Sequence, residues 1–367
     1  MSRKLIILGA TGSIGTSAAE VVREHPESFS VAAVAALNSR EKCEALAREF
    51  GAKAYAGPGS ALRAVEENDA DVCLVATVGT SGIRPTLAAI AKGMDIALAT
   101  KEVLVMAGAL VTGEAAKRGV RFLPVDSEHS AIFQCLPVRN GRADVSEIDR
   151  IVLTASGGPF LDSPADLSRV TAAEALKHPR WNMGRKVTVD SATMMNKGFE
   201  VAEAMWLFGI PEKRIDVAIH PESVVHSLAT FRDGATMAQL SPPDMKVAIQ
   251  YALSWPRRLK SRRAALDLPS VGSLTFRRPD ANRFPALEIV REACRAGGSA
   301  AAAVAAADEW AVEKFLCGAI RFTDIVRAAS YCLEKFAGEP CGSADEIEEL
   351  KSRVFSALDS RNHGVSS

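Results

Sequence analysis

The chain has 367 residues, enough for two or three domains at roughly 150 residues each. Hydrophobic residues make up 48% and can form a sizeable core, while 44 Lys and Arg balance 44 Asp and Glu. That zero net charge argues against a nucleic-acid surface or a polybasic membrane face, and leaves room for a local basic pocket holding a small anion.

Residues 4–8 (KLIIL) read as a buried strand, followed by glycines and a helical stretch over 16–24. Residues 31–37, 71–77, 95–99 and 121–125 read as further strands, with a helix over 84–92. This β-α-β-α alternation predicts a parallel, doubly wound sheet. From about residue 126 the pattern changes. Residues 151–154 read as a strand leading into the loop ASGGPF, and 163–184 as loop and short helix. Residues 224–231 and 235–240 flank Arg232-Asp233-Gly234 as an antiparallel hairpin. A Pro/Arg-rich stretch over about 255–285 reads as a linker crossing the surface. Helices follow, including the alanine-rich run 300–308 and a last helix opened by Ser343 and Glu346 as a capping box. The seven cysteines are odd in number, form no C-x-x-C pair and read as reduced packing thiols. The N-terminus lacks a signal-peptide pattern and no apolar run is long enough to span a bilayer. The chain is therefore expected to be soluble and cytoplasmic.

Gly9-Ala10-Thr11-Gly12-Ser13-Ile14-Gly15 follows a strand and opens a helix. This G-x-x-G-x-x-G form is a variant of the dinucleotide fingerprint, in which a pyrophosphate rests on a helix N-terminus. After the second strand the chain reads Leu37-Asn38-Ser39-Arg40-Glu41-Lys42, with no acid at the strand end. That favours NADP over NAD, with Glu41 expected on the following helix.

Asp126-Ser127-Glu128 stands just past a strand end, where open α/β sheets place their ligands. Two carboxylates can chelate a hard divalent cation if a third ligand joins them, and the same residues equally suit a plain helix start. In a helix over 196–208, Asn196, Lys197 and Glu200 share one face, with Glu203 close by. Lys and Asn suit a phosphate or sugar hydroxyls, and Glu200 can supply the third carboxylate; the plain alternative is a solvated face with a Lys-Glu pair. The run from His178 to Gly184 (HPRWNMG) sets a tryptophan among polar residues, as in a lid or as a simple anchor. Ser156-Gly157-Gly158 offers backbone N–H groups to a phosphate, or is merely a tight turn. His220 and His226 read as structural or interfacial.

Taken together, GATGSIG, ATKE, VDSEH, TASGGPF, HPRWNMGRKVTVDSATMMNKGFE, HPESVVHS and RFTDI resemble the 1-deoxy-D-xylulose-5-phosphate reductoisomerase family over nearly the full chain. The resemblance implies a Rossmann-like parallel sheet in 1–125 and an α+β catalytic domain with a dimerising sheet in 126–254. It further implies a linker in 255–284 and a C-terminal helical bundle in 285–367, within an α/β fold. Thr11, Gly12, Ser13, Ile14, Ala36, Asn38, Arg40, Thr100, Glu102 and Gly184 would hold NADPH. Asp126, Glu128 and Glu200 would ligate Mg²⁺ or Mn²⁺. Lys101, Ser127, Glu128, Ser156, His178, Trp181, Ser191, Asn196, Lys197 and Glu200 would bind a sugar phosphate, with Lys101, Glu128 and His178 catalytic. The partner set implied is a small-molecule substrate and a second copy in a homodimer, with no nucleic acid or membrane.

Three departures from the family pattern stand out. Ala36-Leu37-Asn38 replaces a basic triplet, which leaves Arg40 or Lys42 for the 2′-phosphate. Thr100 replaces an asparagine. Asp308 replaces a common asparagine at a position expected to lie far from the chemistry. The implied reaction rearranges a ketose phosphate by retro-aldol and aldol steps and reduces the aldehyde. The general base stays open among Glu128, Lys101 and a metal-bound water. A semialdehyde dehydrogenase, needing a cysteine nucleophile such as Cys135, and a catalytically silent nucleotide sensor are the competing readings.

Overall fold

The computed structural model describes residues 2–139, 142–164, 166–181 and 183–363. The N-terminal sheet is formed by β1 (Arg3–Leu8), β2 (Phe29–Ala36), β3 (Lys53–Ala56), β4 (Val72–Val75), β5 (Asp95–Leu98) and β6 (Phe122–Pro124) in the order β3-β2-β1-β4-β5-β6. Every pairing in it is parallel. Leu5 to Leu8 and Val72 to Val75 are buried on both faces, which is why the central strands read as unbroken apolar runs. Helices α1 (Ser13–Glu24), α2 (Arg40–Phe50), α3 (Ser60–Glu66), α4 (Ile83–Ala91) and α5 (Glu102–Arg118) make the crossovers. The strand order reverses between β1 and β4, so the loops after these two strands diverge and open a crevice at their C-terminal ends.

Helix α6 (Ser127–Cys135) follows β6 directly, and a short ribbon, β7 (Val138–Arg139) and β8 (Arg142–Ala143), follows it. The second sheet is mixed. It comprises β9 (Ile148–Ala155), β10 (Ile215–Ile219), β11 (Val225–Phe231) and β12 (Thr236–Leu240), ordered β10-β9-β11-β12. β9 and β10 run parallel, while β11 runs antiparallel to both neighbours. Gly234 takes φ +87° in the turn of the expected hairpin. Between these strands lie α7 (Ala172–Ala175), α8 (Arg185–Thr193) and α9 (Met195–Phe208). α9 buries Phe199, Val201, Ala202 and Ala204. Trp206 packs flat on Gly108 of α5, where an added Cβ would lie 2.3 Å from the indole.

After α10 (Met245–Ser254) comes the expected linker, which is better tied than its composition suggests. Trp255 and Phe284 at its ends are buried. Arg263 bridges Glu24 and Asp244 at 3.2 and 3.0 Å. Arg277 pairs its backbone with Ile219, and the segment contains the short helix α11 (Leu268–Val271). The C-terminal helices are α12 (Ala286–Ala296), α13 (Ala300–Leu316), α14 (Phe322–Phe336) and α15 (Ala344–His363). Small side chains let α13 pack closely against α5, α8, α12, α14 and α15. On α15, Ile347, Leu350, Val354 and Leu358 form the expected buried stripe. Among the described residues no helix is long and apolar enough to cross a membrane.

Candidate active site

Backbone packing forces the glycines after β1. Gly9 has φ +78°, and a Cβ there would sit 2.0 Å from the Ala76 carbonyl oxygen at the end of β4. A Cβ on Gly15 would meet the Gly9 oxygen at 2.3 Å. Gly12 caps α1 without any side-chain bond, and the first turn of α1 holds no acid. Its amide groups are thus left to an incoming anion, as a dinucleotide pyrophosphate requires. Thr11 is half-buried, Gly12 and Ser13 are exposed, and Ile14 reaches the main cavity.

Across the crevice, Ala36 is buried and its carbonyl accepts from the Gly57 N–H at 3.1 Å and Ser60 Oγ at 3.2 Å. Asn38 and Arg40 are exposed, and Arg40 stands 3.7 Å from Glu44 in a loose pair. Glu41 lies in the first turn of α2, as expected. Thr100 is buried with its hydroxyl donating to the Thr77 carbonyl at 2.7 Å, so its side chain shapes the loop after β4 rather than opening to the crevice.

Asp126 N-caps α6 by accepting the Glu128 N–H, which sets both acids at the mouth of the first sheet. Helix α9 brings Asn196, Lys197 and Glu200 opposite them. It leaves α8 through Met194, held at φ +66°. Asp126, Glu128 and Glu200 each present an oxygen within 4.8 Å of the others. Two ammonium groups stand among these acids. Lys101 Nζ lies 2.6 Å from Asp126, 3.2 Å from Glu200, and donates to Asn196 Oδ1 at 2.7 Å. Lys197 Nζ lies 2.9 Å from Glu128 and also pairs with Glu200. Asn196 and Lys197, expected on a phosphate, therefore face the acids here, and Asn196 Nδ2 donates to Glu200 at 2.5 Å.

The charges tune one another. Burial pushes the Asp126 carboxyl up, but Lys101 and His129 outweigh it and hold it well below the usual range. Burial and the Glu128 charge raise Glu200 despite its lysines. Burial alone would lower Lys101, yet Asp126 and Glu200 keep it well above its ordinary value. Behind the acids lies a pair that sequence reading did not develop. His129 Nε2 meets the Glu200 carbonyl at 2.8 Å, and its Nδ1 is 3.5 Å from Glu203. Burial pushes Glu203 up to about 8. Asp126, His129 and Glu203 also cluster, but His129 and Glu203 are fully enclosed. Only the Asp126, Glu128 and Glu200 set lines a cavity and leaves positions for a ligand.

That cavity holds about 180 Å³ and is also lined by Ser127, Ser156, Trp181, Ser191, Val225 and His226. His178 Nδ1 accepts the Arg180 and Trp181 N–H groups at 3.2 and 2.9 Å, so Nε2 carries the proton of the neutral ring toward Ser156 Oγ, 3.1 Å away. Burial keeps His178 below the usual imidazole range. Trp181 stands 6.2 Å from the His226 ring. His226, expected to be structural or interfacial, is buried and also part of the cavity wall. Met183, from the run singled out in the sequence, and Met245, missed there, line it too. Asn182 lies outside the described residues. Gly184 N-caps α8, and a Cβ there would touch nothing. Asp308 corrects its expectation. It is fully buried on α13, 2.7 Å from Lys186, which also pairs with Glu102 at 3.4 Å beside the site. Cys135 is buried, and burial pushes its thiol up to about 11, unfit for a nucleophile.

Models described as 1-deoxy-D-xylulose 5-phosphate reductoisomerase match residues 5–60 and 48–108, and that family's C-terminal domain matches 122–208. A DXP reductoisomerase C-terminal domain matches 240–356. The 1-deoxy-D-xylulose 5-phosphate reductoisomerase of Ralstonia pickettii (strain 12J) is 46% identical over 373 residues, covering 94% of this chain and 93% of its own. That of Burkholderia pseudomallei (strain 668) is 45% identical, covering 95% and 94%. A DOX-P reductoisomerase solved with NADPH, fosmidomycin and magnesium superposes with TM-score 0.93 at 38% identity, covering 100% of this chain and 99% of that one. The Zymomonas mobilis enzyme with NADPH gives 0.91 at 34%, covering 99% of each. The chain belongs to the 1-deoxy-D-xylulose 5-phosphate reductoisomerase family.

Proposed function

We propose that this chain converts 1-deoxy-D-xylulose 5-phosphate to 2-C-methyl-D-erythritol 4-phosphate, the non-mevalonate route to isoprenoid precursors, with NADPH and Mg²⁺ or Mn²⁺. The observation that carries this reading is the convergence of three carboxylates within 4.8 Å at the mouth of a glycine-loop sheet. Asp126, Glu128 and Glu200 are hard oxygen donors that fit such a cation, whose Lewis acidity would stabilise an enolate, while NADPH on the α1 N-terminus would supply the hydride.

The reaction breaks the C3–C4 bond, rejoins the fragments as a branched aldehyde and reduces it. The protein must therefore hold two fragments without release. Ser156, Ser191, Asn196 and Lys197 would grip the phosphate, a handle remote from the breaking bond. Binding there requires Asn196 and Lys197 to turn from the acids toward the anion. His178, neutral and donating from Nε2, orients Ser156. Trp181, which lines the cavity, would exclude water from the reacting carbons. Lys101 is held as an ammonium by Asp126 and Glu200, so it donates to substrate oxygens and is no base. That leaves Glu128 as the protein group to take the C4 hydroxyl proton, with Ser127 Oγ hydrogen-bonded to it at 2.5 Å.

NADPH oxidation should require both the substrate and the metal. A chelator should abolish it, and NADH should replace NADPH poorly because the exposed Arg40, only loosely paired with Glu44, follows β2 where the 2′-phosphate would lie. Turnover unaffected by chelator would remove the metal role, and equal rates with NADH would remove Arg40 from the 2′-phosphate.

We also propose a homodimer joined along β12. This edge strand leaves Thr236, Met237 and Ala238 exposed with its outer backbone unpaired by any described strand. Light scattering should then report twice 39.0 kDa, and a monomer mass would discard the idea. Seven free cysteines support a reducing, cytoplasmic setting.

A further inference from the structure

Lys186 gathers more acid than one ammonium needs. Its Nζ lies 2.8 Å from Asp190 on its own helix, 2.7 Å from Asp308 on α13 and 3.4 Å from Glu102 at the start of α5. It also sits 4.9 Å over the Phe199 ring of α9. Asp190 would satisfy it alone as an i,i+4 pair. Asp308 is instead planted, fully enclosed, in an alanine wall where an unpaired carboxylate is costly. Burial pushes both aspartates up, helped at Asp190 by the Asp308 charge and at Asp308 by Glu102, and Lys186 is what pulls both back down.

The members of this cluster come from α5, α8 and α13, and the first two of these border the site. Glu102 adjoins Lys101. Helix α8 begins at Gly184, the end of the lid run, whose carbonyl accepts from the Thr188 N–H at 3.0 Å and the Thr188 hydroxyl at 2.9 Å. The same helix carries Ser191 near its far end. Moving the first turn of α8 therefore moves the lid anchor and a substrate contact together.

We propose that Lys186 is a positioning residue that locks the base of the lid to the cofactor face of the first sheet, so that cofactor binding and lid order are coupled. The proposal rests on the cofactor reading above. Lys186 touches none of the reacting groups; it acts through Glu102 and α8.

Limited trypsinolysis after Arg180, an exposed lid residue, reports the lid, and NADPH fluorescence titration reports the cofactor. In the wild type, saturating NADPH should slow cleavage. In Lys186→Met it should not, and NADPH affinity should fall about tenfold, the same coupling read from the other site. Lys186→Arg should restore part of both. The double variant Lys186→Met/Asp308→Asn relieves the stranded carboxylate, so it should regain melting temperature without regaining protection, and it carries the test if the single variant fails to fold. Full protection in Lys186→Met, recovery of protection along with stability in the double variant, or no NADPH effect on wild-type cleavage would each overturn the proposal. Failure of the wild type to bind NADPH at all would instead overturn the cofactor reading.

Discussion

Replacing Glu200 by glutamine is expected to cut turnover by about a thousandfold or more, while NADPH affinity changes by less than about twofold. Glu200 is the one acid that α9 contributes to the trio, and it is 1% exposed. Glutamine keeps the shape but offers a metal only a neutral oxygen. The change also leaves Lys101 and Lys197 with less compensating charge, and breaking a buried pair costs about 3–5 kcal/mol. Metal half-saturation should therefore rise by at least about tenfold. The α1 N-terminus and the Arg40 neighbourhood share no contact with Glu200, which is why cofactor affinity is spared. A metal titration of the rate and an NADPH fluorescence titration decide the matter. Wild-type turnover in this variant would take Glu200 out of the chemistry.

The acid trio was legible because each member carries a local signal. Asp126 and Glu128 follow a strand end, and Glu200 shares a helix face with Asn196 and Lys197. The glycine loop was legible for the same reason, since its residues contact one another within a few positions. Helix α5 was not singled out. Val103, Leu104, Val105, Met106 and Ala107 are all buried, so it shows no amphipathic period to read. β3 and α3 are short and largely open at their ends, with little apolar pattern. Asp308 was misjudged because its partners lie 122 and 118 residues away at Lys186 and Asp190, and an acid at the end of an alanine run gives no hint of them. His226 read as structural or interfacial because one histidine on a strand carries no sign of which face meets a cavity. What the chain hid is pairing across layers, which no local periodicity encodes.

Lys101→Met should have two effects of opposite sign: turnover falls by about a hundredfold or more, yet the metal binds about tenfold more tightly. The loss follows from removing an ammonium that faces the cavity. The gain follows because Lys101 already occupies the field of Asp126 and Glu200 at 2.6 and 3.2 Å. Without it, His129 still faces Asp126 and Lys197 still faces Glu200, and an incoming cation answers more of the charge that remains. The metal-free variant should lose about 3 kcal/mol, several degrees of melting temperature at this size, and magnesium should restore more stability to it than to the wild type. The pH dependence has a definite sign. Asp126 is held low in the fold, so it contributes stability above the ordinary carboxylate value near about 4, and loses it as pH falls through the folded value. Taking away Lys101 removes the largest downward pull on Asp126, so the acid-side loss should be smaller and complete at a higher pH in the variant. Calorimetry across pH, with and without magnesium, measures all of this. Weaker metal binding in Lys101→Met would show that the lysine shapes the acid cluster instead of competing within it.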